Sequence, residues 1–518
     1  MRKFYRFALA ALFAALPLAS CNRTSQSLTD VDWDAFTSDS GTKTKVTLWT
    51  TIGTKNKDTF DSIISEFEKV YPGIEVDHVT KGGYDALFTA AQTAIPAGTT
   101  PTMAYCYSDH VASYLEANYA VQDMTAFMND PEHGFGTDEG TFTDPYGNSV
   151  KNSNSKDDMV SGYLNDGHSY ILDGKKLPGY YSLPYTRSSE VIVYNKSFFE
   201  KHNLDESKLS TWKGIWEICK TIVDNKWIDV DSSKLGKVAP LGYDSTSNMF
   251  ITLSEQLGIP YTDGTAANPL TFFNPGKDQG GKKLLNTLRD YYQDHYFITQ
   301  TSLGGSYTSS AFSTQQCVMT ISSSAGINYC VPAASSEDGT QPFEVGVVAY
   351  PTMGDGSFVD GVEVGADAKT DAVISQGPSM TFFSRASMQE KAAAWLFYKF
   401  STGSYWNAVW AGETGYEPVR ASSYQQEVFK KKTTPAADAD LNTKAKAEAN
   451  KKVHELVNGY GSNDRLFTSD VFVGSAQARI AVGSLLDGTL SATDFSDAKL
   501  DELYTQYMTQ AAQALPQA

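Results

Sequence analysis

The sequence predicts an α/β protein built on open, largely parallel sheets flanked by helices, and three observations predict it. Short β-branched and apolar runs alternate with stretches of helical periodicity, Gly/Pro punctuation separates them, and the chain is long enough for more than one such unit. At ~150 residues per domain, 518 residues suggest two or three domains. Hydrophobic residues make up 41% and charged residues 20%, the balance of a chain that buries cores rather than staying disordered.

The alternation starts with a strand, Val46-Thr47-Leu48-Trp49-Thr50. Phe60, Ile63, Ile64, Phe67 and Val70 follow at helical spacing, then Pro72-Gly73 and a strand over 74–79. A helix over 84–95 and a strand over 103–107 repeat the theme. Ligands in such sheets bind beyond the carboxyl ends of the strands, so the loops after Thr50, Val79 and Tyr107 are candidate sites, Ser108 among them. Residues 129–176, rich in Asp, Gly, Asn and Ser, read as surface loop. Beyond them, 191–195 is a strand, 212–223 and 283–292 are helical, and 318–321 and 343–349 are strands. Ala392, Trp395, Leu396, Lys399 and Phe400 share one helical face assigned to core, while the Lys/Ala-rich stretch 430–450 reads as solvated helix or loop.

At the amino end Arg2, Lys3 and Arg6 precede an apolar run over 7–18, the pattern of a secretory signal and too short for the ~20 residues of a membrane span. Leu18-Ala19-Ser20-Cys21 resembles the bacterial lipobox, which implies a signal peptide over 1–20, lipidation of Cys21 and a flexible tether over 21–44. The charge balance, Lys+Arg 42 against Asp+Glu 60, gives −18. Loss of the signal's three cations leaves 39 against 60, or −21. Such acidity argues against nucleic-acid binding and against membrane attachment by charge, and it repels anions at long range. Cys106, Cys219, Cys317 and Cys330 remain as buried thiols or disulfide partners, and no spacing suggests a metal.

Catalytic motifs fall away one by one. Gly276-Lys277-Asp278-Gln279-Gly280-Gly281-Lys282-Lys283 lacks the hydroxyl that a phosphate-cradling loop places after its lysine. Asp229-Val230-Asp231-Ser232-Ser233 carries Lys234 where a calcium loop needs Gly. His454-Glu455 has no second zinc-ligating His, and no Gly-x-Ser-x-Gly elbow is present.

Two blocks carry a family resemblance. Leu183-Pro184-Tyr185-Thr186-Arg187-Ser188-Ser189-Glu190-Val191-Ile192-Val193-Tyr194-Asn195-Lys196 and Thr414-Gly415-Tyr416-Glu417-Pro418-Val419-Arg420 resemble, in the right order, segments of the carbohydrate-binding solute-binding proteins of bacterial ABC importers. Among these, the glycerol-3-phosphate and glycerophosphodiester binders are the most similar in pattern. Lys81-Gly82-Gly83-Tyr84-Asp85 resembles their Lys-Gly-Asn-Tyr-Glu, whose Tyr and acid contact ligand. Cys317-Val318-Met319-Thr320-Ile321-Ser322-Ser323-Ser324 resembles their Cys-x-Met-Thr-x-x-Ser-Ser. Gln376-Gly377-Pro378-Ser379 stands where they carry Gly-Gly-Ala-Ser, and Gln477-Ala478-Arg479 resembles their Gln-Ile-Arg, whose Arg binds phosphate. The family's second-lobe Trp pair is missing, Gly242-Tyr243-Asp244-Ser245-Thr246-Ser247-Asn248 standing in that region.

The resemblance implies a two-lobed periplasmic-binding-protein-like fold with a ligand cleft between lobes, each a mainly parallel sheet flanked by helices. The expected split is 45–184 plus about 325–380 for the first lobe and 185–324 plus about 381–518 for the second. Crossovers are expected near 185–191, 321–329 and 375–383. The expected function is a lipid-anchored, monomeric solute-binding protein, outside the cell or in the periplasm, that hands a sugar or glycerol-phosphate ligand to ABC permease subunits, with no cofactor and no catalysis. Expected ligand residues are Trp49, Tyr84, Asp85, Ser108, Ser188, Ser189, Tyr243, Ser323, Ser324, Gly377, Ser379, Tyr416 and Arg479. A guanidinium suits two phosphate oxygens, hydroxyls donate further bonds, and aromatic faces such as Trp49, Tyr243, Trp406 and Trp410 can stack on sugars. An exported glycoside hydrolase and a surface adhesin or scaffold are the alternatives from other classes.

Overall fold

The computed structural model describes residues 27–39, 41–117, 120–271, 280–335, 339–354, 356–494 and 496–515; the expected signal, Cys21 and the first residues of the tether lie outside them. Its principal strands are β1 (Thr44–Thr50), β2 (Ile74–Thr80), β3 (Met103–Cys106), β4 (Leu183–Pro184), β5 (Glu190–Asn195), β6 (Leu241–Tyr243), β7 (Phe297–Thr299), β8 (Met319–Ser323), β9 (Val345–Ala349) and β10 (Ser379–Phe382). The helices that matter below are α1 (Thr54–Val70), α2 (Tyr84–Ala97), α3 (Ser108–Glu116), α4 (Trp212–Asp224), α5 (Thr246–Leu257), α6 (Gly280–Gln293), α7 (Met388–Ser401), α8 (Ser404–Thr414), α9 (Leu441–Ser462) and α10 (Ser475–Ser491).

Two five-stranded sheets organise two lobes, with strand orders β2-β1-β3-β10-β4 and β7-β6-β8-β5-β9. In the first, β1 pairs in parallel with β2 and β3, because α1 and the α2 segment carry the chain back before each new strand. β10 joins it antiparallel. In the second, β6 is parallel to β7 and β8, but β5 runs antiparallel to both β8 and β9. The sheets are therefore less uniformly parallel than the alternation suggests. The exceptions are the strands that arrive from the other lobe: β5 and β10 start at the cleft and run away from it, whereas strands inside βαβ units end there.

Each sheet has its own core. Phe60, Ile63 and Phe67 of α1 pack with β1, β3 and α7 in the first, and Trp212, Ile215 and Ile218 of α4 with β5, β6 and α6 in the second. These cores relocate the lobe boundaries. Ile327, Cys330, Val347, Tyr350 and Ile374 belong to the second core, and Met380, Trp395, Phe397 and Trp406 to the first. So 325–375 lies with the second lobe and 379–429 with the first, opposite to the expected split. The reason is that β9 pairs with β5 and β10 with β3. No crossing occurs near 321–329; a crossing comes instead between Phe429, packed on α8, and α9, whose Val453, Val457 and Tyr460 are buried in the second core. α9 is thus a packed helix rather than a fully solvated one.

The tether is shorter than expected. Val31 and Phe36 are buried in the first core, Gly73 donates a backbone bond of 3.0 Å to Phe36, and Asp32 is tied to Gln389, so residues 31–36 are docked. Between 129 and 176 the expected loop also contains a hairpin, Thr141–Thr143 with Ser149–Lys151, and a helix, Ser161–Asp166. Lys399 on α7 is buried among apolar neighbours because Asp138 at 2.6 Å, Thr137 and the Gly134 carbonyl satisfy its ammonium.

Candidate functional site

Three segments lie side by side where the lobes meet. Ser188 and Gln376 exchange backbone bonds of 2.8 and 2.9 Å, and Arg187 and Glu417 exchange bonds of 3.1 and 2.7 Å. The Arg187 guanidinium, almost fully buried, donates to the Thr186 and Pro378 carbonyls and to Ser379, and pairs with Asp166 at 3.3 Å. Burial pushes the Asp166 carboxyl up and Arg187 pulls it back. Arg187 thus belongs to a rigid floor, and Asp166 beside it lines the cavity above.

Above that floor is a cavity of about 170 Å³ with walls from both lobes. Tyr107, Ser108 and Asp109 come from the end of β3 and the start of α3; Gln376 and Gly377 come from a crossing segment; Tyr261, Ser475 and Arg479 come from the second lobe. The placement follows from local structure, since β3 ends at the cleft and α3 must begin there. α10 begins at Gly474, whose φ of +99° is left-handed and whose lack of a side chain leaves the first turn without a side-chain cap. Ser475 and Arg479, four residues apart, share one helix face toward the cavity. The hydroxyls of Ser475 and Ser375 are buried there without a hydrogen-bond partner among the described residues. Uncapped amide donors, two hydroxyls and a guanidinium make an anion-attracting corner.

Arg479 is held from behind. Its Nη2 donates to Asn248 Oδ1, and Asn248 Nδ2 donates to Glu190 Oε1 at 2.7 Å. Beside the cavity the Tyr84 and Tyr107 rings stack at 4.2 Å, with Tyr416 next to them and Tyr307 of the second lobe beyond. Burial raises the phenol pKa values of Tyr84, Tyr107 and Tyr416, so these groups stay protonated and able to donate.

Of the expected residues, Ser108, Gly377 and Arg479 line this cavity, and Tyr84 and Tyr416 stand beside it. Ser323, partly exposed at the cleft end of β8, accepts a bond from the Ala325 amide. The others go elsewhere. Ser188 lies buried in the crossing strands. Ser189 and Ser324 are buried and tied to each other and to the Ile374 carbonyl, and Ser379 accepts from Arg187, so these hydroxyls hold the lobe junction. Tyr243 is fully buried, donating to Glu190 at 2.7 Å and touching Tyr350. Trp49 carries Lys81 over its ring at 3.9 Å and lines, with the exposed Asp85, a shallow groove along α2 that shares no residue with the cavity. Trp406 and Trp410 are buried in the first core, Trp410 edge-on to Phe60.

Tyr107, Asp109, Gln376, Tyr261 and Ser475 were not singled out by sequence as ligand residues. The strand-end rule had pointed to the loop after Tyr107, and Ser475 is one turn before Arg479. Tyr261 lies in a loop with no sequence signal.

Comparison with known proteins agrees with this geometry. A match over 26% identity and 180 residues relates the chain to the sn-glycerol-3-phosphate-binding periplasmic protein UgpB of Salmonella paratyphi A, spanning 35% of each chain. The match therefore covers about a third of that curated relative's length. The structure resembles UgpB from Mycobacterium tuberculosis in complex with glycerophosphocholine, with TM-score 0.63 and 14% identity over 90% of this chain and 98% of that one. It also resembles maltose-bound MalE3 of T. maritima, with TM-score 0.61 and 15% identity over 90% and 99%. The family model described as bacterial extracellular solute-binding protein matches residues 62–437, and with the two lobes and the cavity between them it establishes that the chain belongs to that family.

Proposed function

We propose that this protein captures a small hydroxylated anion of the glycerol-phosphate or glycerophosphodiester type for an ABC importer, and that a lipid on Cys21 anchors it to the membrane. The observation that carries the ligand class is the convergence of Arg479, Ser475 and the open first turn of α10 on a cavity lined by both lobes. The names of the UgpB relatives point the same way. A neutral sugar is the second reading, favoured by the Asp109, Asp166 and Asp470 carboxylates in the cavity wall, by the tyrosine stack and by the likeness to a maltose-bound protein.

Calorimetry with glycerol 3-phosphate, glycerophosphocholine and maltose separates the two. Removing a charged hydrogen-bond donor costs about 1.5–3 kcal/mol, so Arg479→Ala is expected to weaken a phosphorylated ligand by about 10- to 150-fold and maltose far less. Equal losses for both ligands would refute the anion reading. For the anchor, Cys21→Ser is expected to move the exported protein from the membrane to the soluble fraction. Retention on the membrane would refute lipidation at that residue.

A further inference from the structure

Glu190 is the first residue of β5, the strand that enters the second lobe from the cleft, and its side chain is almost fully buried. It accepts from Tyr243 Oη and from Asn248 Nδ2, both at 2.7 Å. The second of these bonds orients the Asn248 amide. With Nδ2 committed to Glu190, Oδ1 faces Arg479 and receives its guanidinium. A carboxylate, an amide and a guanidinium are thus joined in one file that ends at the cavity wall.

We propose that Glu190 is a positioning and charge-setting residue for Arg479, so that its ionised form partly balances the guanidinium through Asn248 and its protonated form leaves the full positive charge to an anionic ligand. The inference rests on the reading of Arg479 as an anion contact and adds to it a coupling between anion capture and proton uptake.

The surroundings favour such a role. Burial pushes the Glu190 carboxyl up to about 7, while Asn248, Tyr243 and the charge of Arg479 hold it down and Asp244 adds a small upward push. On β6 and the following turn, Tyr243 and Asp244 face it, and Asp244 is itself occupied by the Thr308 amide and hydroxyl. From the end of β9 comes Tyr350, which touches Tyr243, and from α9 comes Tyr460, which donates to the Glu190 carbonyl. From α10 comes Arg479, which acts on Tyr107, His110 and Tyr261 and shares the cavity wall with Asp109, Asp166 and Asp470; of these Asp166 is raised by burial and held down by its partner Arg187. His110 is pushed below its ordinary value by burial and by the charge of Arg479, while Asp109 and Asp85 oppose the shift.

The sign follows from linkage. An anion brought to Arg479 makes a nearby carboxylate less favourable, so binding raises the proton affinity of Glu190, and a proton on Glu190 raises the affinity for the anion by the same factor. A ligand without charge produces neither effect. A rise of half to one unit in the Glu190 pKa corresponds to about three- to tenfold in affinity.

The probe is glycerophosphoglycerol, a phosphodiester whose charge is constant across the range, with maltose as the neutral control. Calorimetry on the full mature chain between pH 6 and pH 8.5, in buffers of different ionisation enthalpy, is expected to show phosphodiester binding about three- to tenfold tighter at pH 6, with proton uptake near pH 7.5. Glu190→Gln imitates the protonated carboxyl. It is expected to bind the phosphodiester at pH 8.5 as tightly as the unaltered protein does at pH 6, with a flat profile and no proton uptake. Tyr243→Phe removes a donor to the carboxylate and is expected to move the midpoint upward, which tests the proposal even where Glu190→Gln fails to fold. Parallel pH profiles for the unaltered protein and Glu190→Gln, or an unmoved midpoint in Tyr243→Phe, would overturn the proposal while leaving the anion reading intact. Failure of the phosphodiester to bind at any pH would overturn both.

Discussion

Gly377 has a φ of +120°, and a Cβ built on it would lie 2.5 Å from the Thr186 carbonyl oxygen and 2.8 Å from the Arg187 Cα. Both are backbone atoms that cannot swing aside, so the residue allows two crossing segments to touch beside the cavity. Gly377→Ala is expected to lose about 2–3 kcal/mol of stability, read as a lower denaturation midpoint with unchanged slope. A midpoint equal to that of the unaltered protein would show that the junction is slack. The residue was legible as a family position, but its role was not: the glycine serves backbone contact as much as ligand access. The same holds for Ser189, Ser324 and Ser379, whose hydroxyls are consumed by the junction. Sequence shows that a hydroxyl is present; which partner it meets depends on segments 135 to nearly 200 residues away.

At the scale of elements the sequence is informative wherever periodicity is local. The expected strands over 46–50, 74–79 and 191–195 and the helices over 84–95, 212–223 and 283–292 correspond to β1, β2, β5, α2, α4 and α6. Strand direction was not legible for β5 and β10. β5 reads as an ordinary buried strand and the β10 residues only as part of a crossover near 375–383; alternation and β-branching are the same in either direction, and entry from the other lobe is what makes both antiparallel. α9 misled for a related reason. Its Lys- and Ala-rich sequence has few large apolar residues, yet small Ala445 and Ala449 let it approach the second core closely. Lys399 was read on an apolar face, and its burial is made tolerable by Asp138, more than 250 residues earlier in the chain. Burial lowers its pKa while Asp138 opposes the shift.

For the whole molecule, two cores and three crossing segments make hinge closure the natural response to a ligand that touches both walls, since such a ligand favours the form in which both contacts exist. At the rim, Lys55 of α1 donates to Tyr329 of the second lobe at 2.6 Å. Both groups are exposed, and contacts of that kind are worth too little to lock the lobes by themselves. Small-angle scattering is expected to show a smaller radius of gyration on adding saturating ligand, together with about 2.7 kcal/mol of added stability at a hundred times the Kd. A ligand that stabilises the protein without changing the scattering curve would contradict closure.

The sequence by itself determined the α/β class, the order of most elements, the family, and five residues that meet at or beside one cavity, because each depends on local periodicity or on short motifs. The tertiary structure alone decided which lobe each half of the chain joins, which way β5 and β10 run, and which hydroxyls are free. Those properties depend on pairing between distant segments, and a buried polar group is settled by whatever partner the fold brings to it. Arg479 shows both sides: its motif was readable, while its support by Asn248 and Glu190 arises where α10, α5 and β5 meet.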